Sequence, residues 1–122
     1  MGQDHVEPVW VSRVAPLSPE NARVVIQRAW SVGRVQVTPH FRKRSRERDF
    51  TTLDVGNVIR YGLACSQAEF CEQFQNHKYR IRLVMEDSTL EVVIALDYSE
   101  DYQQVPLVVL VTGYWQGGNT II

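Results

Sequence analysis

The chain has 122 residues, a hydrophobic fraction of 44%, a charged fraction of 22% and a formal net charge of −1. That length and composition fit one globular domain able to bury its own core, and exclude a fibrous or strongly charged disordered chain. The neutral total conceals an asymmetry. Arg42, Lys43, Arg44, Arg46 and Arg48 crowd into one short stretch, the last basic residue is Arg82, and only acids follow from Glu86 onward.

Residues 1–17 contain Pro8 and Pro16 and no clear period, and read as an N-terminal arm in which Val9–Trp10–Val11 forms a short strand or rests on the surface. Ser18-Pro19-Glu20 is a helix start: a capping hydroxyl, a proline at the first helical position and a carboxylate at the positive end. Ala22, Val25, Ile26, Ala29, Trp30 and Gly33 then share one face, with Arg23, Gln27 and Arg28 turned away, and Gly33 suits the left-handed position after the last turn. Thr38-Pro39 repeats the start signal for a second helix running from His40 to Arg48. Thr51 or Thr52 caps a third, with Leu53, Val55, Val58, Ile59 and Leu63 apolar, Asp54 in its first turn and Gly62 as its stop.

After Gly62 the period changes to two. Tyr79, Ile81, Leu83 and Met85 alternate with Arg80 and Arg82, Glu86-Asp87-Ser88 makes a turn, and Leu90 to Leu96 returns as the second strand of a hairpin. Residues 105–112 are apolar on both faces and predict a central strand covered on both sides, while a weaker strand within 64–74 completes four. The expected fold is α+β: two or three N-terminal helices packed on a four-stranded antiparallel β-sheet. It occupies residues 18–115 as one domain, with 116–122 as a C-terminal tail.

Cys65 and Cys71 are six residues apart, too far for a disulfide along one strand, and predict reduced thiols. With no apolar run of membrane-spanning length and no signal-peptide pattern at the start, the sequence predicts a cytoplasmic protein with no membrane partner. His5, His40 and His77 are widely separated and no CxxC occurs, so neither a metal nor a cofactor is expected.

The stretch that bears chemistry is His40-Phe41-Arg42-Lys43-Arg44-Ser45-Arg46-Glu47-Arg48. On a helix His40 and Arg44 lie one turn apart, and Arg48 continues the same row. RNA cleaves itself when its 2′-hydroxyl attacks the adjacent phosphate, which requires a proton acceptor, a proton donor and fixed positive charge. Histidine, with a pKa of about 6.5, serves either proton role. Arginine holds phosphate oxygens bidentately and keeps its charge. The plainer alternative is a solvated helix face, with Glu47 and Asp49 as ion-pair partners, and an exposed strand face for Arg80 and Arg82.

The order SPENARVVIQRAWSVG, HFRKRSRER, FTTLDVGNVIRYG, KYRIRL, VLVTGY resembles the family called domain of unknown function 4258, with its His-x-x-x-Arg-x-x-Glu-Arg segment. The resemblance spans residues 18–115 and implies kinship with barnase-like and RelE-like ribonuclease toxins. On that basis the function expected is a metal-independent, toxin–antitoxin-like ribonuclease domain. Its catalytic residues would be His40, Arg44, Arg48, Arg80 and Thr112, with Arg82 and Tyr114 as substrate-binding residues. The partners expected are RNA and an antitoxin protein. Two departures stand out: Ser45 occupies a position that is often apolar in relatives, and the acidic link at 97–104 and the N-terminal arm suit partner binding. The rival functions are a non-catalytic RNA- or protein-binding module that uses the basic helix 40–48, and an interaction protein whose basic helix pairs with acids of another chain, such as a second copy's residues 97–101.

Overall fold

The computed structural model describes residues 16–64, 67–71, 76–97 and 106–116, with Cys71 described by its backbone alone. The expectations for residues 1–15, for the thiols of Cys65 and Cys71, for the link after Asp97 and for the tail after Gln116 lie outside the described residues. Helix α1 spans Pro19–Ser31, strand β1 Val35–Val37, helix α2 Pro39–Arg48 and helix α3 Thr52–Tyr61. Strands β2 (Leu63–Ala64), β3 (Glu69–Cys71), β4 (Asn76–Met85), β5 (Ser88–Asp97) and β6 (Leu107–Gln116) follow.

The helices begin where their caps are written. Ser18 Oγ accepts from Asn21 N–H, Thr38 Oγ1 accepts from Phe41 N–H, and Thr51 and Asp54 exchange bonds as a capping box. Gly33 follows α1 at φ +80°, a left-handed conformation that glycine enters without steric cost, and Arg34 N–H reaches back to the Ala29 carbonyl. Asp49 closes α2 in the same conformation at φ 59°. It serves there as a C-cap, and among the described residues it makes no ion pair of the kind considered from sequence.

The sheet is larger than expected, and mixed. Its order is β1-β6-β5-β4-β2, with β3 also paired to β4 beside β2. β1 runs parallel to β6, and every other pairing is antiparallel. The four-strand expectation missed β1 because three residues, Val35 to Val37, are too few to display an alternation. It also merged β2 and β3, two short strands that share one edge of β4. β6 carries β5 along its length and β1 along three residues only, so β5 is the strand flanked by long neighbours on both sides. β6 also continues past Thr112 to Gln116.

One face of the sheet packs against the helices. Ala22, Ile26 and Ala29 of α1 and Val55, Val58 and Ile59 of α3 meet Tyr79, Ile81, Leu90, Val92, Ile94, Val108 and Leu110 in one buried cluster. Each fully buried branched side chain contributes about 1.5–3 kcal/mol relative to exposure. Arg23 and Gln27, expected to face away, donate instead to the Gly62, Ile59 and Arg60 carbonyls. The last carbonyls of α3 have no partner within their own helix, and α1 supplies one.

The second face carries the alternate residues: Arg80 and Arg82 of β4, Glu91, Val93, Ala95 and Asp97 of β5, and Val109, Thr112 and Tyr114 of β6. A bulge between Val93 and Ile94 opposes two residues with three, leaving Val111 as the extra residue and preserving this alternation on both sides. Among the described residues no helix is long and apolar enough to cross a membrane.

Candidate functional site

α2 is set beside the sheet by three bonds to β6. Thr38 Oγ1 donates to the Leu110 carbonyl at 3.0 Å, Arg48 Nη1 to the Gly113 carbonyl at 2.9 Å, and Trp115 Nε1 to the Arg48 carbonyl at 2.8 Å. Phe41 and Phe50 turn into the core and meet edge to face at 5.6 Å. Gly113 is the residue that lets them do so, since a Cβ there would stand 2.8 Å from Phe50 Cζ. Ser45, noted from sequence as a polar substitution, donates to the Phe50 carbonyl and ties the end of α2 to the next turn.

His40, in the first turn of α2, lines a cavity of about 520 Å³. Val109, Val111 and Ala95 contribute aliphatic lining. Gln36 and Thr38 lie on the β1–α2 side, and Asn76 and Asp97 come from the start of β4 and the end of β5. The volume lies within the range of small-molecule sites.

The remaining residues of the row behave differently. Arg44 Nη1 donates to Glu47 Oε1 at 2.6 Å, with its side chain 31% exposed, and Lys43 stands 4.0 Å from the other carboxylate oxygen. The bond from Arg44, with the nearby charges of Arg44, Lys43 and Arg48, holds the Glu47 carboxyl below its ordinary value. Arg48 points to the β6 backbone, next to Thr112 and Tyr114. Arg42 and Arg46 make no ion pair among the described residues, in keeping with a solvated face.

The sheet holds a second cluster, centred on Glu91, whose side chain is 3% exposed. Arg80 Nη1 donates to Glu91 Oε2 at 3.0 Å and to the Tyr114 hydroxyl at 2.6 Å, and Tyr114 donates to Glu91 Oε2 at 2.5 Å. Arg82 and Gln116 reach the other carboxylate oxygen at 3.4 and 3.3 Å. Glu69 of β3 takes the outer side of the Arg80 guanidinium at 3.3 and 3.4 Å. Burial alone would push the Glu91 carboxyl up, but the Tyr114 hydroxyl and the two guanidinium groups outweigh it and hold the carboxyl below its ordinary value. The bonds to Glu69 and Glu91 raise Arg80 further still.

The structure therefore divides the residues expected from sequence into two groups. Arg80, Arg82 and Tyr114 converge, on Glu91. His40, Arg44 and Arg48 share α2, with His40 at a cavity and Arg48 at the strand. Arg80 and Thr112 flank Val93 in one row across three strands, so their backbones lie about 9.6 Å apart at about 4.8 Å per strand spacing. His40 stands on α2, which packs along β6. Sequence reasoning missed Glu91, Glu69 and Asn76, and assigned Asp97 to a partner-binding link, whereas it ends β5 and lines the cavity. For Glu91 a signal existed: the turn at Glu86-Asp87 sets Met85 opposite Ser88, and counting back places Arg82 opposite Glu91.

Comparison with protein-family models, with curated proteins and with solved structures returns no match.

Proposed function

We propose that this chain is an RNA-cleaving domain of the ribonuclease-toxin type, acting at the cavity beside α2 without a divalent metal. The observation that carries the reading is the position of His40: a titratable imidazole on a cavity wall, at the head of the helix row that continues through Arg44 and Arg48. His40 takes the 2′-hydroxyl proton or returns one to the leaving oxygen. Arg44 binds the phosphate, since its surface pair with Glu47 is worth little and yields to a stronger anion. Arg48 uses one of its five N–H donors on the Gly113 carbonyl and presents others to the same phosphate. Arg80, engaged by two carboxylates, orients the Tyr114 hydroxyl in this scheme, and Arg82 supports Glu91. Thr112 supplies an auxiliary hydrogen bond from the strand between them. The resemblance to the toxin family supports the same assignment, and an antitoxin is the protein partner that such a toxin requires.

Incubation of the purified protein with single-stranded RNA and a chelator tests it. Cleavage is expected, and His40→Ala should lower its rate by a factor of about 100 to 10,000. Equal rates for the two proteins would remove His40 from the chemistry.

A second reading, a binding module without chemistry, is favoured by one observation. Glu69 and Glu91 neutralise Arg80 and Arg82, which concentrates the free positive charge on α2, where binding alone requires nothing of His40. RNA binding that weakens steeply with salt, survives His40→Ala and leads to no cleavage selects this reading.

A further inference from the structure

The charge on α2 runs around the helix rather than along one side of it. At 3.6 residues per turn each residue advances about 100°. Phe41 in the core, Ser45 bonded to Phe50 and Arg48 bonded to β6 mark the packed side. His40, at the cavity, and Arg44 share one flank, within about 40° of each other. Arg42 and Arg46 lie about 200° and 240° round from His40, on the opposite flank. Both are exposed, and neither has a hydrogen bond or an ion pair among the described residues. Lys43 and Glu47 occupy the solvent side between the flanks. Glu47 bonds Arg44 and stands 4.0 Å from Lys43, but pairs with neither Arg42 nor Arg46. Two cationic tracks therefore run along one helix, about 10–12 Å apart across its width, with a carboxylate between them.

The second track suits a phosphate chain. Arg42 and Arg46 are one turn apart, a rise of about 6 Å, and each guanidinium can hold a phosphate by two parallel bonds. The exposed side chains of α2 are Pro39, His40, Arg42, Lys43, Arg46 and Glu47, and none is the large apolar anchor that centres a protein interface. A polyanion matches that surface better than a protein does. One strand does not serve both tracks. Passing between them over the solvent side, it would cross Glu47, whose charge repels phosphate, and the packed side is closed by β6 and the core. RNA that folds back on itself sets two runs of phosphates side by side, and a loop or bulge beside the stem leaves nucleotides unpaired. We propose that α2 lies between two segments of a structured RNA: the flank of His40 and Arg44 receives the unpaired segment, and Arg42 with Arg46 holds the backbone of the other. The proposal rests on the RNA-cleaving reading and names its substrate class, a stem-loop or bulged RNA.

Binding of 2′-O-methyl RNAs to the purified full chain tests it, because these lack the attacking hydroxyl and are not turned over. At 50 mM salt a stem-loop should bind at least about tenfold more tightly than an unpaired strand of equal length. Its log affinity should also fall more steeply with log salt, the slopes differing by about 2 for two added phosphate contacts. Arg42→Gln/Arg46→Gln should bring the affinity and slope of the stem-loop down to those of the unpaired strand. Arg28→Gln/Arg60→Gln removes the same charge from exposed positions on α1 and α3, and should leave the stem-loop's advantage in place. Equal affinity of the parent chain for the two RNAs overturns the proposal. So does an advantage lost equally in both double variants, which reduces it to bulk charge. An advantage that Arg42→Gln/Arg46→Gln leaves untouched also overturns it, and assigns that flank to an acidic protein instead. Binding here requires no turnover, so the two readings fail separately. Stem-loop preference in a protein that cleaves no RNA overturns the cleavage reading alone, and cleavage without that preference overturns this proposal alone.

Discussion

The two groups of arginines in this chain meet opposite fates. On α2, five basic residues meet one carboxylate among the described residues, Glu47, which pairs with Lys43 and Arg44 on their own helix in water. On β4, two arginines are matched by Glu91 and Glu69, and the first of these is almost fully buried. The denser group is thus the one whose charge stays available, and the sparser group is built into the sheet. Ion pairs between exposed side chains are worth about 0–1 kcal/mol, whereas hydrogen bonds to a buried charge are worth about 1.5–3 kcal/mol each. Charge density along a sequence therefore marks where an anion can be received, and a buried partner marks where charge serves the fold.

That contrast can be broken by substitution. The largest expected effect is on the proposed activity: if the chain cleaves RNA as proposed, His40→Ala should lower that cleavage about 100- to 10,000-fold with an unchanged urea midpoint, since the side chain lies outside the core cluster. The next is on stability. Glu91→Ala leaves Arg80, Arg82 and Tyr114 without their shared acceptor and should cost about 2–3 kcal/mol in urea unfolding. It stays below the full penalty of a broken buried pair because both guanidinium groups reach water, at 30% and 45% side-chain exposure. Gly113→Ala should cost about 1–3 kcal/mol by driving a methyl group into Phe50.

Acid titration sharpens the comparison. The folded pKa of Glu91 is depressed, so its contribution is fully present above the unfolded carboxylate value of about 4.3 and is lost as pH falls through the folded value. Stability measured from pH 6 to pH 2 should therefore fall less steeply in Glu91→Gln than in the parent chain. The smallest effect belongs to the other group: Glu47→Gln should leave the urea midpoint unmoved while tightening RNA binding through removal of a competing anion. A measurable loss of stability in Glu47→Gln would show that α2 carries more of the fold than its exposure implies.

Much of this architecture was readable in advance, and for local reasons. The three helix starts are encoded by Ser18-Pro19, Thr38-Pro39 and Thr51 with Asp54, because a cap bonds within three residues of itself. The β4–β5 hairpin follows from period-two alternation on both sides of a short turn. β1 escaped because a three-residue strand exists only through its pairing with β6, a partner more than 70 residues away in the chain. Glu91 looked like one polar residue in an apolar run. Its burial depends on Arg80 from the preceding strand and Tyr114 from the following one, both delivered by pairing.

The candidate site shows the same division. The residue types on α2 and their common row follow from 3.6-residue periodicity, so His40, Arg44 and Arg48 could be singled out from the chain alone. The sequence by itself determined the helices, the hairpin and the basic segment, because each depends on neighbours a few positions apart. Tertiary structure alone decided that Arg80 and Arg82 bind Glu91 and that His40 shares a cavity with Asn76 and Asp97. Those contacts join residues from separate strands and helices, and strand order, which no local period encodes, sets which of them meet.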